Sequence, residues 1–382
     1  MSVPLSLLNI PTNVLPFRNY FFTCCAFLFF GCVFFSTVTF AQPQYRFDQA
    51  TLRQADRLIE QFIKDKQVPG LTAAISIDND VKWARGVGFA DKENRVQMVP
   101  NTRLRIASIS KTITATAAAI LYEKGKLDFD APIQRYLPNY PEAKYPITAR
   151  QLAGHTAGIR GYRGSEYFST KQYNNVNEAL AIFKADSLLF KPDEKYLYTT
   201  YGFVLLSAVV QGAAQQEFRT LLRQRIFEPL YMYDTFPEEQ EIAAQQYARY
   251  YEKANGRIQR TRFVDNSNKW GGGGLLSTVE DLVRYGSGLL AGKILKKETL
   301  DMVFASQKLA NGTETGYGIG WARDLHNRQL YIGHTGSAVG ASSILVMNPD
   351  KKIVLSMICN LQNTSLKDLA YQIMGLFERS FR

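Results

Sequence analysis

Apolar residues recur at helical spacing between residues 48 and 66, where Leu52, Ala55, Leu58, Ile59, Phe62 and Ile63 fall on one face and predict an amphipathic helix. The period then changes. Residues 71–77 form a continuous β-rich run, Asp78, Asn79 and Asp80 supply a turn, and residues 81–84 resume the run, which predicts a hairpin. The far end of the chain has the same grammar. Residues 317–323, 330–334, 342–347 and 353–359 are candidate strands, with Asn348, Pro349 and Asp350 the clearest turn, and a closing helix is expected over about 365–381. The middle reads mostly as helix: one segment follows Ser110, another covers 201–215, and a third covers 217–227 before Pro229. Ser277-Thr278-Val279-Glu280 has the pattern of a capping box ahead of a helix over 281–290. Strands at both ends with helices between them predict an α+β fold, an antiparallel sheet flanked by helices with an inserted all-helical lobe. The sheet lobe is expected from about 48–107 and 312–382 and the helical lobe from about 112–311. A pocket belongs between the two.

The first 41 residues do not fit that body. Residues 20–41 carry no charge and are crowded with Phe, Cys and Val, and Arg18 is the only charged side chain before them. Thr39 and Ala41 are small residues at the two positions a signal peptidase reads, and Gln42-Pro43 follows. Residues 1–41 are expected to be an export signal cleaved after Ala41. The alternative is an uncleaved anchor, because the apolar run is just long enough to span a bilayer. Either way the protein is placed outside the cytoplasm, periplasmic or secreted, with possible membrane anchoring through residues 20–41.

Composition changes that picture little. Without the leader, 44 basic side chains stand against 34 acidic ones, a net of +10, but the basic residues are scattered and form no stripe interleaved with aromatics. Nucleic acid is therefore not an expected partner. Of the four cysteines, Cys24, Cys25 and Cys32 lie in the leader, so Cys359 is alone in the mature chain, with no intramolecular disulfide and no cysteine metal site. Its apolar surroundings predict a buried structural thiol. No self-similar repeat is present.

Candidate chemistry begins at Ser108-Ile109-Ser110-Lys111, which opens the alanine-rich run 112–123 and is followed by the helix stop Lys124-Gly125. A serine and a lysine three residues apart at a helix start share one face. The positive end of the helix dipole and burial against the apolar helix both disfavour the lysine's charge. Bringing a lysine from about 10.4 to neutrality takes about 3 pK units, or roughly 4 kcal/mol. By itself the motif also reads as a helix cap followed by a solvated lysine, even though no other serine in the chain has a lysine three residues on.

Order and spacing decide between the two. Tyr196-Leu197-Tyr198-Thr199-Thr200 precedes an apolar helix, and His334-Thr335-Gly336-Ser337 ends a candidate strand. Gly154-His155-Thr156-Ala157-Gly158-Ile159, Phe227-Glu228-Pro229-Leu230 and Gly273-Gly274-Leu275-Leu276-Ser277-Thr278 complete the series. From about Asp48 to the C-terminus the sequence resembles the serine β-lactamase and penicillin-binding-protein superfamily, in its class C-like branch. The resemblance implies a β-lactamase/transpeptidase-like fold and a serine hydrolase working through an acyl-enzyme on a small-molecule or peptide substrate, with no cofactor. It implies Ser108 as nucleophile, Lys111 as its activating partner and Tyr198 as proton shuttle. The backbone N–H groups of Ser108 and Ser337 would form the oxyanion hole, and Thr200, His334, Thr335 and Gly336 would contact substrate.

Two positions depart from the family pattern. Thr200 stands where the Tyr-x-Asn motif has asparagine, and His334 stands where most β-lactamases have the lysine of Lys-Thr-Gly. Both weaken recognition of a β-lactam or a D-Ala-D-Ala terminus and leave the acylation machinery untouched. An ester or amide is therefore the expected substrate. A D-alanyl-D-alanine carboxypeptidase, a true β-lactamase and a catalytically silent envelope-peptide binder on the same scaffold are the alternatives. His155, His326 and His334 are too scattered along the chain to suggest a metal, and His155 is expected to be a buried hydrogen-bonding residue. No Gly-x-Ser-x-Gly is present, which argues against an α/β-hydrolase. Gly271–Gly274 is expected as a tight backbone passage near the site, with Trp270 and Trp321 as candidate pocket walls.

Overall fold

The computed structural model describes residues 49–238 and 248–379. The leader over residues 1–41, its cleavage point and Cys24, Cys25 and Cys32 lie outside the described residues. Helix α1 (Gln49–Lys66) leads into β1 (Gly70–Ile77) and β2 (Asp80–Asp91), followed by the short strands β3 (Val96–Gln97) and β4 (Leu104–Arg105). The middle carries α2 (Ser110–Glu123), α3 (Ala149–Ala153), α4 (Val176–Leu180), α5 (Thr200–Ala214) and α6 (Phe218–Leu222). After them come the short strands β5 (Phe236–Pro237), β6 (Tyr251–Ala254), β7 (Arg257–Arg260) and β8 (Leu275–Ser277). Helices α7 (Val279–Leu290) and α8 (Lys297–Phe304) precede β9 (Ala322–His326), β10 (Gln329–Ala338), β11 (Ala341–Asn348), β12 (Ile353–Cys359) and α9 (Lys367–Arg379).

The two ends of the chain share one sheet. Its order is β3-β2-β1-β12-β11-β10-β9, and β1 joins the halves by antiparallel pairing with β12, from Leu71↔Cys359 to Ile77↔Ile353. Strands β1, β11 and β12 are buried at every position, which explains why they read as continuous apolar runs: both faces of the sheet are covered. On one face α1 and α9 pack together, with Trp83 against Phe377 and the Trp83 indole N–H donating to Asp56 Oδ1 at 3.0 Å. On the other lies α7, close enough that Ser76 Oγ donates to Val283 O at 3.3 Å and a Cβ on Gly286 would meet Val354 Cγ1 at 2.6 Å.

An antiparallel sheet flanked by helices is the architecture expected from the sequence. Four details differ. The inserted lobe is not purely helical, because β4, β8 and β5 form a small sheet and β6 pairs with β7 as a hairpin. Helix α7, assigned by sequence to that lobe, covers the main sheet instead. The expected strand over 317–323 starts only at Ala322, because Gly316 and Gly320 adopt positive φ and fold residues 316–321 into a loop. The cap of α7 is Thr278 rather than Ser277, its side chain accepting from the Asp281 N–H at 3.1 Å. Helix α2, which has little amphipathic character, is buried from Ser110 through Leu121 and runs through the core, with Thr116 hydrogen-bonded to Tyr285 of α7 at 2.7 Å.

Candidate active site

Strand β4 delivers the chain to the site. It pairs with β8, Ile106 N–H then donates to Leu275 O at 3.1 Å, and residues Ala107–Ile109 make a single 3-10 turn before α2 begins at Ser110. Ala107 sits at φ +48°, a left-handed conformation that costs a non-glycine residue about 1–2 kcal/mol. That turn leaves Ser108 half-buried and facing Lys111, while Ser110 is buried and spends its hydroxyl on Ala107 O at 2.7 Å. Ser108 therefore lies one turn ahead of the helix and caps nothing; its Oγ takes the Lys111 Nζ donor at 3.0 Å.

Lys111 is fully buried on α2. Besides Ser108, its amine reaches Gly272 O at 2.5 Å and lies 4.9 Å from the Tyr198 ring and 5.7 Å from that of Phe203. Burial, with the neighbouring Lys269 ammonium second, lowers its pKa to about 7. The glycine passage expected from 271–274 is what allows this contact. A Cβ on Gly271 would collide with Thr114 Oγ1, and one on Gly272 would meet Thr200 Cγ2 at 2.7 Å. A neutral amine at hydrogen-bond distance from a hydroxyl has what a general base needs.

Tyr198 comes from the segment entering α5, with its ring 4.9 Å from Lys111 Nζ and its hydroxyl close enough to Ser108 for that serine to favour its ionised form. The protein atoms crowded around that hydroxyl raise its pKa, although 40% of the residue as a whole stays open to solvent. Behind it stands His155, at φ +61°, with its ring 4.3 Å from that of Tyr198 and its Nδ1 accepting the Thr199 N–H at 3.2 Å. His155 is thus the buried hydrogen-bonding residue expected, and it is also the wall that holds the Tyr198 segment. Thr200 starts α5, and its side chain partly offsets the rise that burial imposes on the Tyr162 hydroxyl.

Strand β10 closes the other side. Strand β9 pairs with it only as far as Gly333↔Ala322, so from His334 to Ala338 its outer edge has no strand partner among the described residues. This stretch lies against the nucleophile's turn. A Cβ on Gly336 would meet Ile106 O at 2.5 Å and Ala107 Cβ at 3.1 Å, and Ser343 on β11 donates to Ile106 O at 2.8 Å. A free strand edge beside Ser108 is a place where backbone N–H groups can meet a developing oxyanion. Thr335 and Ser337 are exposed on the strand, and Gly336 between them is buried.

His334 is buried and has both ring nitrogens engaged. Nδ1 faces the carbonyl of Thr335 at 2.5 Å and Nε2 faces the Tyr317 hydroxyl at 2.8 Å. A carbonyl only accepts, so Nδ1 carries the proton and Tyr317 donates to Nε2, which is the neutral tautomer. Burial, and then the charge of Lys111, lower its pKa to about 3. The position the resemblance gives to a permanent cation is neutral at every ordinary pH.

Tyr317 was missed by the sequence reading, which placed it in a strand. Lys269, held beside the passage from Gly271 to Gly274, was missed as well. Trp321 is fully buried and stacked on Tyr285 at 6.0 Å, so it belongs to the core and lines no pocket. Trp270 is buried and borders a small cavity with Glu238 and Ser267, away from the catalytic side chains. Cys359 is buried as expected, and burial pushes its thiol up to about 11. His326 stacks on Tyr371 at 4.3 Å and joins neither of the other histidines. A surface groove of about 780 Å³ between α1 and α9 holds none of the candidate catalytic or substrate-contacting residues.

Comparison with known proteins gives the family and the fold. The family model named Beta-lactamase matches residues 55–375. The human serine beta-lactamase-like protein LACTB, mitochondrial, is 30% identical over 453 residues, covering 90% of this chain and 83% of the relative. The octameric penicillin-binding protein homologue from Pyrococcus abyssi superposes with a TM-score of 0.75 at 24% identity, over 86% of this chain and 77% of that one. The D-amino acid amidase from Ochrobactrum anthropi SV3, solved with D-phenylalanine, gives a TM-score of 0.73 at 23% identity, over 86% of this chain and 99% of that one. The chain belongs to the β-lactamase family, a family of serine hydrolases.

Proposed function

We propose that this member of the β-lactamase family is an exported hydrolase that forms an acyl-enzyme at Ser108 with a small ester or amide bearing no essential carboxylate. One observation carries the reaction class. Ser108 Oγ lies 3.0 Å from the fully buried Lys111 amine, which has no ion-pair partner among the described residues. Lys111 takes the serine proton, Ser108 attacks the carbonyl, and Tyr198 returns a proton to the leaving group. The tetrahedral oxyanion collects the N–H groups of Ser108 and Ser337, and water then releases the acyl group.

The substrate class rests on His334. Neutral and bound on both nitrogens, it offers no charge where the family's lysine would meet a carboxylate, and Thr200 offers no side-chain amide where the family's asparagine would. The amidase of similar fold was solved with D-phenylalanine, and a ligand of that size is consistent with the small acyl groups proposed for this cleft. Losing one charge-assisted hydrogen bond is worth roughly 1.5–3 kcal/mol, or about 10- to 150-fold. An activated ester should therefore be turned over faster, by kcat/KM, than benzylpenicillin or a D-Ala-D-Ala peptide by a factor of that order. His334→Lys should narrow the gap by improving the carboxylate-bearing substrates selectively. Efficient wild-type turnover of benzylpenicillin at about pH 7.5, where His334 is neutral, would overturn this and make the protein a β-lactamase. The export reading rests on residues 20–41 and predicts that protein recovered outside the cytoplasm begins at Gln42. An intact mass that still contains residues 1–41 would favour the anchor.

A further inference from the structure

Lys111 is not the only amine sealed into this part of the fold. Lys269 is 3% exposed, and its Nζ donates to Asn266 Oδ1 at 2.7 Å and to Tyr167 O at 3.1 Å, 4.5 Å from the Tyr167 ring. The two lysines meet on one turn of backbone. Lys269 O accepts the Gly272 N–H at 2.7 Å, and Gly272 O accepts Lys111 Nζ. A lysine on such a turn cannot swing away, because both its carbonyl and its amine are fixed.

Its charge is also left without a full counterion. Glu238 and Asp265 are the carboxylates on this side, and Glu238 is bound to Arg105, taking Nε at 2.9 Å and Nη2 at 2.6 Å. Asn266 bridges the remaining distance, its Nδ2 donating to Glu238 Oε2 at 2.6 Å while its Oδ1 accepts from Lys269. The ionisable groups acting on Lys269 are Arg105, Glu238 and Asp265, with the Tyr167 and Tyr162 rings over it. Those around Lys111 are Lys269, His155, His334 and Tyr198. Both histidines are shifted toward neutrality and Tyr198 away from ionisation; Lys269, itself lowered to about 8 by burial and then by Arg105, is the neighbour that carries charge in the range where Lys111 titrates.

We propose that Lys269 is a positioning residue for the reaction: a second ammonium, fixed by Asn266 and Tyr167 on the turn that receives Lys111, whose repulsion keeps Lys111 unprotonated and able to take the serine proton. A buried lysine beside another cation is an established route to a neutral amine. The depressed value of Lys111, about 7, has Lys269 as its second cause after burial. The effect passes through charge alone, so it acts on the proton affinity of Lys111 and touches no substrate.

The inference rests on the chemistry proposed for Ser108 and Lys111, and its test does not depend on turnover. Protein labelled with 13C at lysine Cε reports the titration of Lys111, assigned by its loss in Lys111→Arg. Removing the charge with Lys269→Met should raise the Lys111 midpoint by roughly half to one pH unit. Lys269→Gln, which keeps a donor for Asn266, should raise it by a similar amount, and Lys269→Arg should leave it near the wild-type value. In kinetics the same variants should move the acid limb of kcat/KM upward, so that the neutral substitutions lose several-fold in rate at about pH 6.5 and little at about pH 9. An unmoved midpoint in both neutral variants, or a rate loss equal at every pH, would overturn the role. A moved midpoint in a protein without turnover would support it and count against the proposed function instead.

Discussion

Lys111→Met is expected to abolish nearly all turnover while making the protein more stable. Turnover should fall about a thousandfold or more, because the substitution removes the base from the proton-transfer step and leaves binding contacts in place. The gain in stability follows from the proton. Lys111 has a folded-state pKa of about 7. In the unfolded chain it should titrate near 10.4. Folding therefore carries the full cost of a buried ammonium below about pH 7, a falling cost between there and about pH 10.4, and none above. Methionine fills the same buried space without a charge, although it leaves Ser108 Oγ and Gly272 O without their donor. At neutral pH the net gain should be about 1–3 kcal/mol. Denaturant unfolding of both proteins at several pH values measures it: the advantage of the variant should shrink as pH rises toward 10. A wild type that is the more stable at neutral pH would show that Lys111 is held by interactions stronger than those described. In the wild type the active amine is the deprotonated one, so kcat/KM should rise with pH through about 7.

Ser108→Ala should remove acyl-enzyme formation altogether and leave the fold nearly unchanged. The sequence suggested the loss of a helix cap, worth about 1 kcal/mol. The structure reduces this, since α2 begins at Ser110 and no side chain caps it. Only the hydrogen bond from Lys111 is lost, and that amine keeps Gly272 O at 2.5 Å. The expected change is therefore within about 0.5 kcal/mol, against a loss of turnover of about 10⁴-fold or more. An exposed Ser110 could have taken over, but its hydroxyl is buried and committed to Ala107 O at 2.7 Å. Tyr198→Phe should also cost heavily. Combined with Lys111→Met it should cost much less than the two separate losses together, because both serve one proton path.

Much of this site could be read before the structure, for a simple reason. Ser108 and Lys111 are three residues apart and a helix fixes their relation, while the ordered motifs supply Tyr198 and His334 by resemblance. The strands at the two ends of the chain were visible because full burial makes them continuous apolar runs. What stayed hidden depends on contacts between distant segments. Tyr317 matters only because its loop, bent at Gly316 and Gly320, reaches His334. Lys269 looks like any surface lysine until Tyr167, from a turn about a hundred residues earlier in the chain, closes over it. His155 faces Tyr198 because Leu197 N–H donates to its carbonyl at 2.9 Å and Thr199 N–H to its ring. Helix α7 has an ordinary amphipathic pattern that cannot say which partner it covers, and Gly286 decides that it is the sheet.

The central claim is that Ser108 becomes covalently acylated. Its most direct test is to incubate the wild-type protein with a slow activated ester, digest it and locate the added mass by peptide mass spectrometry. The account expects one acyl group per chain, on the peptide containing Ser108, formed faster as pH rises through about 7 and absent from Ser108→Ala. No adduct on the folded wild type, or an adduct that persists in Ser108→Ala, would contradict it.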